Sequence, residues 1–543
     1  MKTIDQVSAD KLRGGFYTPE PLVRACLDRI DDLGDRTPLR ILEPSAGAGA
    51  FLRGLGQGPL AAQAAHVTAI EPNVDEAAKA RASLAEQPFD GRVVVGSAIA
   101  WAAAASDEFD AAVGNPPFVR YQFISASDRA AALALASRLG LRLAGVSNLW
   151  IAVFLGALSR LRAGGAFAFV IPTECLTGVS SAQVRRWLIG HCEDVRFDLF
   201  APGSFPDVLQ EITILSGRRH GRERHRRFDL RLVEHFDDVD SLDWTHQVGE
   251  DGPWTKFLLA PHQVEAMDAA TADLRVATME EIAKFVVSIV TGANDFFTVP
   301  QELVDEHGLE DWTVPLLPRV RYAPGLVYST QDHENTTIGG ARAWLTNFSD
   351  SRPDPRAHEG AARYLALGES RELHERYKCR IREPWFRVPG IRSGQLLMSK
   401  RSHLHPRVVV NEACVYTSDT IYRGKTVTDA VSPGGLAANF HNSLTLLSAE
   451  LEGRSFGGGV LELVPSEIDR LLVHTDEPDC GLLPRLDEIA RGGEWDAVIA
   501  ATDTSLVDRR LIDADVMSEL AEARLWLRSR RLDRNRRPMT ATV

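Results

Sequence analysis

Short apolar runs alternate with amphipathic stretches along the first 216 residues of the chain. Five apolar runs have the length of buried strands, at 39–43, 67–70, 92–96, 109–113 and 166–171. Between them lie stretches with the spacing of helices, from about 50, over about 74–85 and over 148–161. Strands that alternate with helices predict an α/β fold with a mostly parallel, doubly wound sheet.

The pattern of the chain changes after residue 216. A polar, basic stretch lies at 217–227. After it, strand and helix patterns alternate less regularly, aromatic and basic residues cluster, and glycine-rich segments interrupt the pattern. A chain of 543 residues is long enough for more than one domain. We therefore predict a boundary near 245, with one domain over 1–245 and a mixed α+β domain over 246–543.

The composition, 44% hydrophobic and 25% charged, is typical of a globular protein. The six cysteines form no C-x-x-C pair, which argues against a disulfide framework and a thiolate zinc site and is typical of a reducing cytosol. The chain has no apolar run of the about 18 residues that span a membrane, and residues 1–6 lack the pattern of a signal peptide. We expect a cytoplasmic protein with no membrane partner.

Charge is unevenly distributed. The net charge of −13 disfavours nonspecific binding to nucleic acid. Residues 363–425, however, carry thirteen Lys and Arg against six Asp and Glu. An acidic protein with a basic middle can still bind phosphates on one face.

A loop of small residues, Glu43-Pro-Ser-Ala-Gly-Ala-Gly49, follows the first predicted strand. Ligands bind at this edge of open parallel sheets, and glycines let the backbone approach them closely. Glu71 ends the second strand, where a carboxylate can accept hydrogen bonds from a ribose diol. Loop and acid together suggest an adenosine-bearing cofactor. An ordinary glycine turn and a solvent-facing acid are the alternatives.

Gly114-Asn-Pro-Pro-Phe118 follows the fourth predicted strand. The two prolines hold the chain extended, so that the Asn115 carboxamide and a proline carbonyl project from the edge of the sheet. Two neutral acceptors suit an amino group conjugated to a base, because they favour a pyramidal nitrogen and stabilise the charge that develops on attack. Phe118 can stack on a planar substrate.

The order of these motifs carries a family resemblance. Phe16-Tyr-Thr-Pro19, the glycine loop and Asn115-Pro-Pro-Phe118 resemble, in this order, the gamma group of adenine-N6 DNA methyltransferases of bacterial restriction–modification systems. Only about 65 residues separate Gly49 from Asn115, so a recognition domain has to follow the catalytic one, as in that group. The resemblance implies a Rossmann-like class I methyltransferase domain followed by a target-recognition domain.

The resemblance also implies roles for single residues. It assigns catalysis to Asn115, Pro116, Pro117 and Phe118, and a place against the flipped base to Phe118 and Phe205, although Phe205 could equally be a core aromatic. It implies binding of S-adenosylmethionine by Tyr17, Thr18, Glu43, Ser45, Ala46, Gly47, Glu71, Ser97 and Asn115. Ser97 is a departure, because the family usually has an aspartate there that bonds the cofactor's adenine; Asp107 or another residue could compensate.

Three segments of the second half are also similar to this group, at 288–297, 377–386 and 456–465. In the middle one, basic residues interleave with aromatic ones, an arrangement that suits phosphate contacts. A solvated basic strand over an aromatic core is the alternative. The DNA-contact candidates are Lys378, Arg380 and Arg382.

The resulting hypothesis is a site-specific DNA methyltransferase that acts on the N6 amino group of a flipped adenine in double-stranded DNA. It implies a bacterial cytoplasmic protein, associated with the nucleoid when it acts, with double-stranded DNA as partner and no metal requirement. Any restriction endonuclease that accompanies it is expected to be a separate protein. Cytosine-N4, protein glutamine and RNA adenine methylation are rival hypotheses. A DNA-binding defence subunit with a weakened cofactor site, motivated by Ser97, is the non-enzymatic one.

Overall fold

The computed structural model describes residues 18–31, 38–119, 123–141, 148–176, 179–200, 212–220, 227–233, 242–247, 254–456 and 459–532. The chain divides after Pro261 into two compact units. The predicted boundary at 245 falls inside a strand, Leu242–Gln247, which pairs with its neighbour in the first unit. The backbone hydrogen bonds of that pair explain why the first unit continues beyond 245.

The first unit contains one nine-stranded sheet. Its strands are β1 Leu39–Glu43, β2 Ala64–Glu71, β3 Asp90–Val95, β4 Phe109–Gly114, β5 Leu161–Pro172, β6 Cys192–Phe200, β7 Ile212–Arg219, β8 Arg227–Val233 and β9 Leu242–Gln247. The spatial order is β3-β2-β1-β4-β5-β7-β6-β8-β9. The pairs from β3 to β5 are parallel, and β7 runs antiparallel between β5 and β6. This order confirms the predicted Rossmann-like class I methyltransferase fold.

Helices connect these strands as the apolar spacing predicts. They are α1 Glu20–Asp31, α2 Ala50–Gln57, α3 Val74–Ala85, α4 Ala98–Ala104, α5 Ala126–Arg138, α6 Leu149–Leu158 and α7 Val179–His191, with 3-10 turns at Pro59–Ala62, Thr173–Leu176 and Trp254–Leu258. The predicted helix over 148–161 was too long, because Leu161 already pairs with Phe109 in the sheet. β5 is correspondingly longer than the predicted strand.

Apolar side chains cover both faces of the sheet. Ala168 and Val170 of β5 belong to a buried cluster with Phe51 of α2. The alternate residue Phe169 points to the other face, where its ring meets Phe154 of α6 edge-on with centroids 5.3 Å apart. A parallel sheet covered on both faces leaves the ends of its strands as the place for a ligand.

The second unit has four small sheets among its described residues. Their orders are β10-β23, β11-β20-β16-β18-β14, β12-β15-β13-β19 and β17-β22-β21. The strands are β10 Val276–Thr278, β11 Ala283–Val286, β12 Thr298–Val299, β13 Thr313–Leu317, β14 Val327–Tyr328, β15 Trp344–Thr346, β16 Leu396–Ser399, β17 Arg401–Ser402, β18 Val408–Asn411, β19 Tyr416–Thr417, β20 Ile421–Thr426, β21 Arg454–Phe456, β22 Val460–Glu462 and β23 Leu472–His474.

Helices and strands mix in this unit, which confirms the predicted α+β class. The helices are α8 Pro261–Thr271, α9 Met279–Ile282, α10 Asn294–Phe297, α11 Gln301–His307, α12 Thr330–Ile338, α13 Glu359–Ser370, α14 Tyr377–Arg380, α15 Pro433–Phe440, α16 Ser443–Glu452, α17 Pro465–Ile468, α18 Leu482–Arg491, α19 Trp495–Asp508 and α20 Ala514–Leu532, with 3-10 turns at Glu310–Trp312, Val320–Tyr322, Pro355–Ala357 and Leu373–Glu375. Across the described ranges of both units, every helix is too short or too polar to cross a bilayer.

Candidate active site

The predicted site residues follow three neighbouring strands. β1 lies between β2 and β4 and pairs in parallel with both. Glu43, Glu71 and Asn115 stand at the carboxyl ends of these strands and therefore share one edge of the sheet. Gly114 brings the loops after β1 and β4 close together, because a Cβ there would stand 3.2 Å from the Ser45 Oγ.

The glycine loop is held by backbone hydrogen bonds. Ala46 N–H donates to the Ile70 carbonyl at 2.9 Å. Gly49 has a φ of 83°, and a Cβ there would stand 2.9 Å from the Ser83 Cβ, so this position needs glycine for helix packing. Gly47 has a φ of 50° but faces open space, with no described atom within 4 Å of a Cβ position. A ligand can approach the backbone there.

Glu71 links the loop to the next helix. Its carboxylate accepts hydrogen bonds from the Gly47 N–H at 2.9 Å and from the Asn73 N–H at 2.8 Å. The Asn73 side chain in turn caps α3. A half-buried carboxylate that is fixed in this way has the chemistry to accept hydroxyl groups of a ligand.

Glu43 and Ser45 carry buried polar atoms for which the described part of the chain provides no hydrogen-bond partner. Glu43 is fully buried, and neither of its carboxylate oxygens has a hydrogen-bond partner among the described residues. Burial raises the pKa of Glu43 well above its usual value, the negative charge of Glu71 raises it further, and Arg53 opposes both. The Ser45 hydroxyl oxygen is likewise buried without a described partner. Buried polar groups are almost always satisfied, so these two indicate a ligand that completes them.

Asn115 is held by a residue from the start of the described chain. Its Nδ2 donates to the Thr18 Oγ1 at 3.1 Å. With the amide nitrogen engaged by Thr18, the carboxamide oxygen of Asn115 is the group left to act as an acceptor. The structure thus brings together two predicted site residues that are 97 positions apart.

The two prolines and Phe118 are fixed by local contacts. Val119 N–H donates to the Pro117 carbonyl at 3.0 Å, and the Val119 carbonyl accepts from Leu149 N–H of α6 at 2.9 Å. Pro116 is buried, whereas Phe118 is half-buried and packs against the core of the unit. The loop therefore presents a partly exposed ring next to Asn115.

Ser97 lies just beyond β3, and Asp128 of α5 lies beside it. The Ser97 hydroxyl donates to Asp128 Oδ1 at 2.5 Å and also caps α4. Asp107 does not compensate for the serine at this edge. It stands before β4, at the opposite end of the strands, and pairs with Arg92 at 2.7 Å and Arg40 at 3.3 Å. Sequence reasoning missed Asp128, which no motif or spacing marks.

Two of the predicted site residues, Tyr17 and Phe205, lie outside the described residues. The three DNA-contact candidates differ in their surroundings. Lys378 and Arg380 are exposed. Arg382 donates to the Thr291 carbonyl at 2.7 Å and to the Val290 carbonyl at 2.8 Å, and burial lowers its pKa. Its contact with DNA stays a prediction.

Two models of known protein families match this chain. Residues 66–200 match the model described as Eco57I restriction-modification methylase, and residues 251–507 match the one described as the C-terminal domain of the type II methyltransferase M.Eco57I. These matches place the chain in the Eco57I-like family of type II DNA methyltransferases.

Relatives of this methyltransferase extend over most of its length. It is 20% identical to the type II methyltransferase M.AccI of Acinetobacter calcoaceticus, over 87% of this chain and 86% of that one. It is 23% identical to the type II methyltransferase M.XamI of Xanthomonas campestris pv. amaranthicola, over 85% of each chain. The type IIL restriction-modification enzyme MmeI, solved in complex with DNA, has a similar fold, with a TM-score of 0.54 and 13% identity over 94% of this chain and 75% of that one.

Proposed function

We propose that this DNA methyltransferase transfers the methyl group of S-adenosylmethionine to the N6 amino group of an adenine in double-stranded DNA. The observation that carries the proposal is the hydrogen bond from Asn115 to Thr18, which leaves the Asn115 carboxamide oxygen as an acceptor at the ligand-binding edge of the sheet. The assignment of adenine as the methylated base rests on the motif Asn-Pro-Pro-Phe, because related enzymes that methylate cytosine more often carry Ser-Pro-Pro.

The residues present fit the cofactor. Gly47 offers an open backbone approach, and Glu71 offers a fixed carboxylate for a ribose diol. The carboxylate of Glu43 and the buried hydroxyl of Ser45 have no hydrogen-bond partner among the described residues, and they suit the charged amino-acid end of the cofactor. When bound, the cofactor supplies a methyl group activated on a sulfonium.

The residues of this chain act on the base. The carboxamide oxygen of Asn115 and the carbonyl of Pro116 accept the two N–H bonds of the exocyclic amine. They favour a pyramidal nitrogen with an exposed lone pair. They would also stabilise the positive charge on that nitrogen when it takes the methyl group as the methyl–sulfur bond breaks, before it releases one of its two protons. Thr18 positions Asn115 for this role. Phe118 and Phe205 stack on the ring of the adenine, which must leave the duplex to reach them.

DNA recognition falls to the second unit in this proposal. Tyr377 and Ile381 are 67% and 63% exposed, and they flank the exposed cations Lys378 and Arg380 in the sequence. The surrounding segment, 363–425, has an excess of seven positive charges in a protein of net charge −13. Cations suit phosphates, and exposed apolar side chains beside them suit base edges or steps. A separate endonuclease would supply cleavage.

The test is modification-sensitive sequencing of DNA from a methylation-free bacterial host that expresses the protein. We expect N6-methyladenine at one sequence motif with the wild-type gene and none with Asn115→Ala. N4-methylcytosine at a motif would overturn the base assignment and leave the chemistry intact. No DNA mark from a soluble protein, together with methylation of RNA or of a protein glutamine in the same cells, would overturn the DNA substrate. No mark and no cofactor binding would favour a DNA-binding subunit.

A further inference from the structure

We propose that Asp128 supplies the carboxylate that accepts the adenine amino group of the cofactor, a role that the strand-end acid of related enzymes fills and Ser97 does not. The inference rests on the proposed use of S-adenosylmethionine. It assigns to a helix a function that is expected of the neighbouring strand, and it makes Ser97 a positioning residue for that carboxylate.

The first support is where Ser97 stands. β3 pairs in parallel with β2, with Val95 opposite Glu71. One residue later the Gly96 N–H donates to the Glu71 carbonyl at 3.2 Å. Ser97, the residue directly after Gly96, is therefore next to Glu71, the acid proposed to bind the ribose. The adenine attached to that ribose has to lie close to the same place.

The second support is open space. Gly96 has a φ of 152°, a value that favours glycine, and no described atom lies within 4 Å of a Cβ position there. Ser97 and Asp128 are both half-buried, so one side of each is accessible to a ligand. A planar base can therefore approach the backbone at this point.

The third support is how Asp128 is held. Its Oδ1 accepts from the Ser97 hydroxyl at 2.5 Å, and its Oδ2 accepts from the Ser125 hydroxyl at 2.8 Å. The backbone N–H of Asp128 donates back to Ser125 at 3.0 Å, so the start of α5 is capped as well. Two hydroxyl groups fix one carboxylate oxygen each, and every oxygen keeps a further acceptor direction.

Chemistry favours Asp128 over Ser97 as the acceptor. The Ser97 hydroxyl gives its only proton to Asp128 and already accepts from the Ala100 N–H at 3.3 Å. An ionised carboxylate is the stronger acceptor for an amino group. A purine with a carbonyl in place of that amino group would meet the carboxylate with a second acceptor and be rejected.

The experiment compares two ligands by calorimetry on the full chain. One is S-adenosylhomocysteine, and the other is its analogue with a carbonyl in place of the exocyclic amino group. We expect wild type to bind the amino ligand about tenfold to a hundredfold more tightly. Asp128→Ala should lose most of this preference, and Asp128→Asn, which keeps the shape of the helix cap, should lose it as well because the amide can face either ligand.

Two controls separate recognition from capping. Ser125→Ala removes the cap of α5 and one of the two hydroxyl groups that hold the carboxylate. It should therefore lower the melting temperature but keep more of the ligand preference than Asp128→Ala does, because the Ser97 hydroxyl still holds the carboxylate. The double variant Ser97→Asp with Asp128→Ser exchanges the two groups and should restore the preference that Asp128→Ser alone loses.

The outcomes are distinct. An unchanged ligand preference in Asp128→Ala and Asp128→Asn would overturn the role of Asp128 and leave the proposed function standing. Failure of the wild-type protein to bind either ligand would overturn the proposed cofactor, and this inference with it. Loss of the preference in both Asp128 variants, with clearly more of it kept in Ser125→Ala, supports the inference.

Discussion

The two units bring their polar residues together in different ways. In the first, β1, β2 and β4 are neighbours in one parallel sheet, so the residues after them meet at one edge. In the second, segments 288–297 and 377–386 share a buried apolar cluster, and Arg382 also donates to two carbonyls of the former. Backbone pairing positions the first site, whereas side-chain packing and side-chain hydrogen bonds position the second surface.

This difference predicts how substitutions behave. A site residue placed by backbone pairing can be substituted with little effect on folding. Its substitution should therefore lower activity and leave stability nearly unchanged. A residue that joins two segments through its side chain should affect both.

Asn115→Ala should lower the rate of methyl transfer by at least about a hundredfold, because it removes an acceptor aimed at the developing charge. The measurement is single-turnover transfer to DNA that contains the modification motif. The melting temperature should stay near that of wild type, since no strand pairing is lost. A large drop in melting temperature would contradict the view that this edge of the sheet is held by backbone pairing and does not depend on the Asn115 side chain.

Thr18→Val should slow transfer by about tenfold, because valine keeps the shape but removes the oxygen that accepts from Asn115. Thr18→Ser is the matched control and should recover most of the rate. We expect the change in kcat rather than in KM for DNA, since the substituted group acts through Asn115. Equal rates for the valine and serine variants would rule out a positioning role.

Arg382→Ala and Lys378→Ala separate two roles of basic residues in the second unit, which are support of the structure and contact with DNA. Arg382→Ala leaves two carbonyls without their donors and should lower the free energy of unfolding by about 1–3 kcal/mol. Lys378→Ala should leave stability unchanged, weaken DNA binding and reduce the salt dependence of binding by about one counterion. Thermal unfolding and fluorescence anisotropy at several salt concentrations are the measurements. Similar effects of both variants on stability would contradict this separation of roles.

Glu43→Gln should raise the stability of the folded protein at neutral pH, and we expect this effect to be smaller than the others. Glu43 is an exception in the first unit, because its substitution changes stability. Burial and the charge of Glu71 raise the pKa of Glu43 above its usual 4.5, so the folded protein holds a proton that the unfolded chain releases. Stability is therefore lost as pH rises from 4.5 towards the raised value.

The glutamine variant lacks this loss, so its advantage in melting temperature should grow as the pH rises above 4.5. It should also bind S-adenosylhomocysteine more weakly, because a neutral amide replaces a group able to carry charge. A melting-temperature difference that is constant with pH would mean that Glu43 ionises as readily in the folded protein as in the unfolded one.

The sequence was sufficient for the elements that backbone patterns determine. The ends of β1, β2 and β4 follow from apolar runs, and the polar residues at those ends therefore had a predictable place. The start of β5 did not, because Gly164 and Gly165 resemble the end of a helix. In the fold a Cβ at Gly165 would stand 3.0 Å from the Arg162 carbonyl and 3.2 Å from the Asp110 carbonyl, so the glycine serves close strand packing.

Contacts made by side chains across the chain were beyond the reach of sequence patterns. Asp128 lies on a helix 31 residues after Ser97, and neither a motif nor a period relates the two. Arg382 stands in a basic run whose members look alike in sequence, yet only the structure separates it from the exposed Lys378 and Arg380. Charge and spacing predict that such residues are polar, but not which partner each one finds.

The hydrogen bond between Ser97 and Asp128 has an evolutionary consequence. If Asp128 of α5 supplies the negative charge near the adenine of the cofactor, the strand-end position of Ser97 needs only a small hydroxyl group. The residues at these two positions should then change together during evolution. Relatives with an acid at the position of Ser97 should then be free to lose the acid at the position of Asp128. The intermediate that carries both acids would place two like charges in contact, so the exchange should proceed through a neutral residue at one of the two positions.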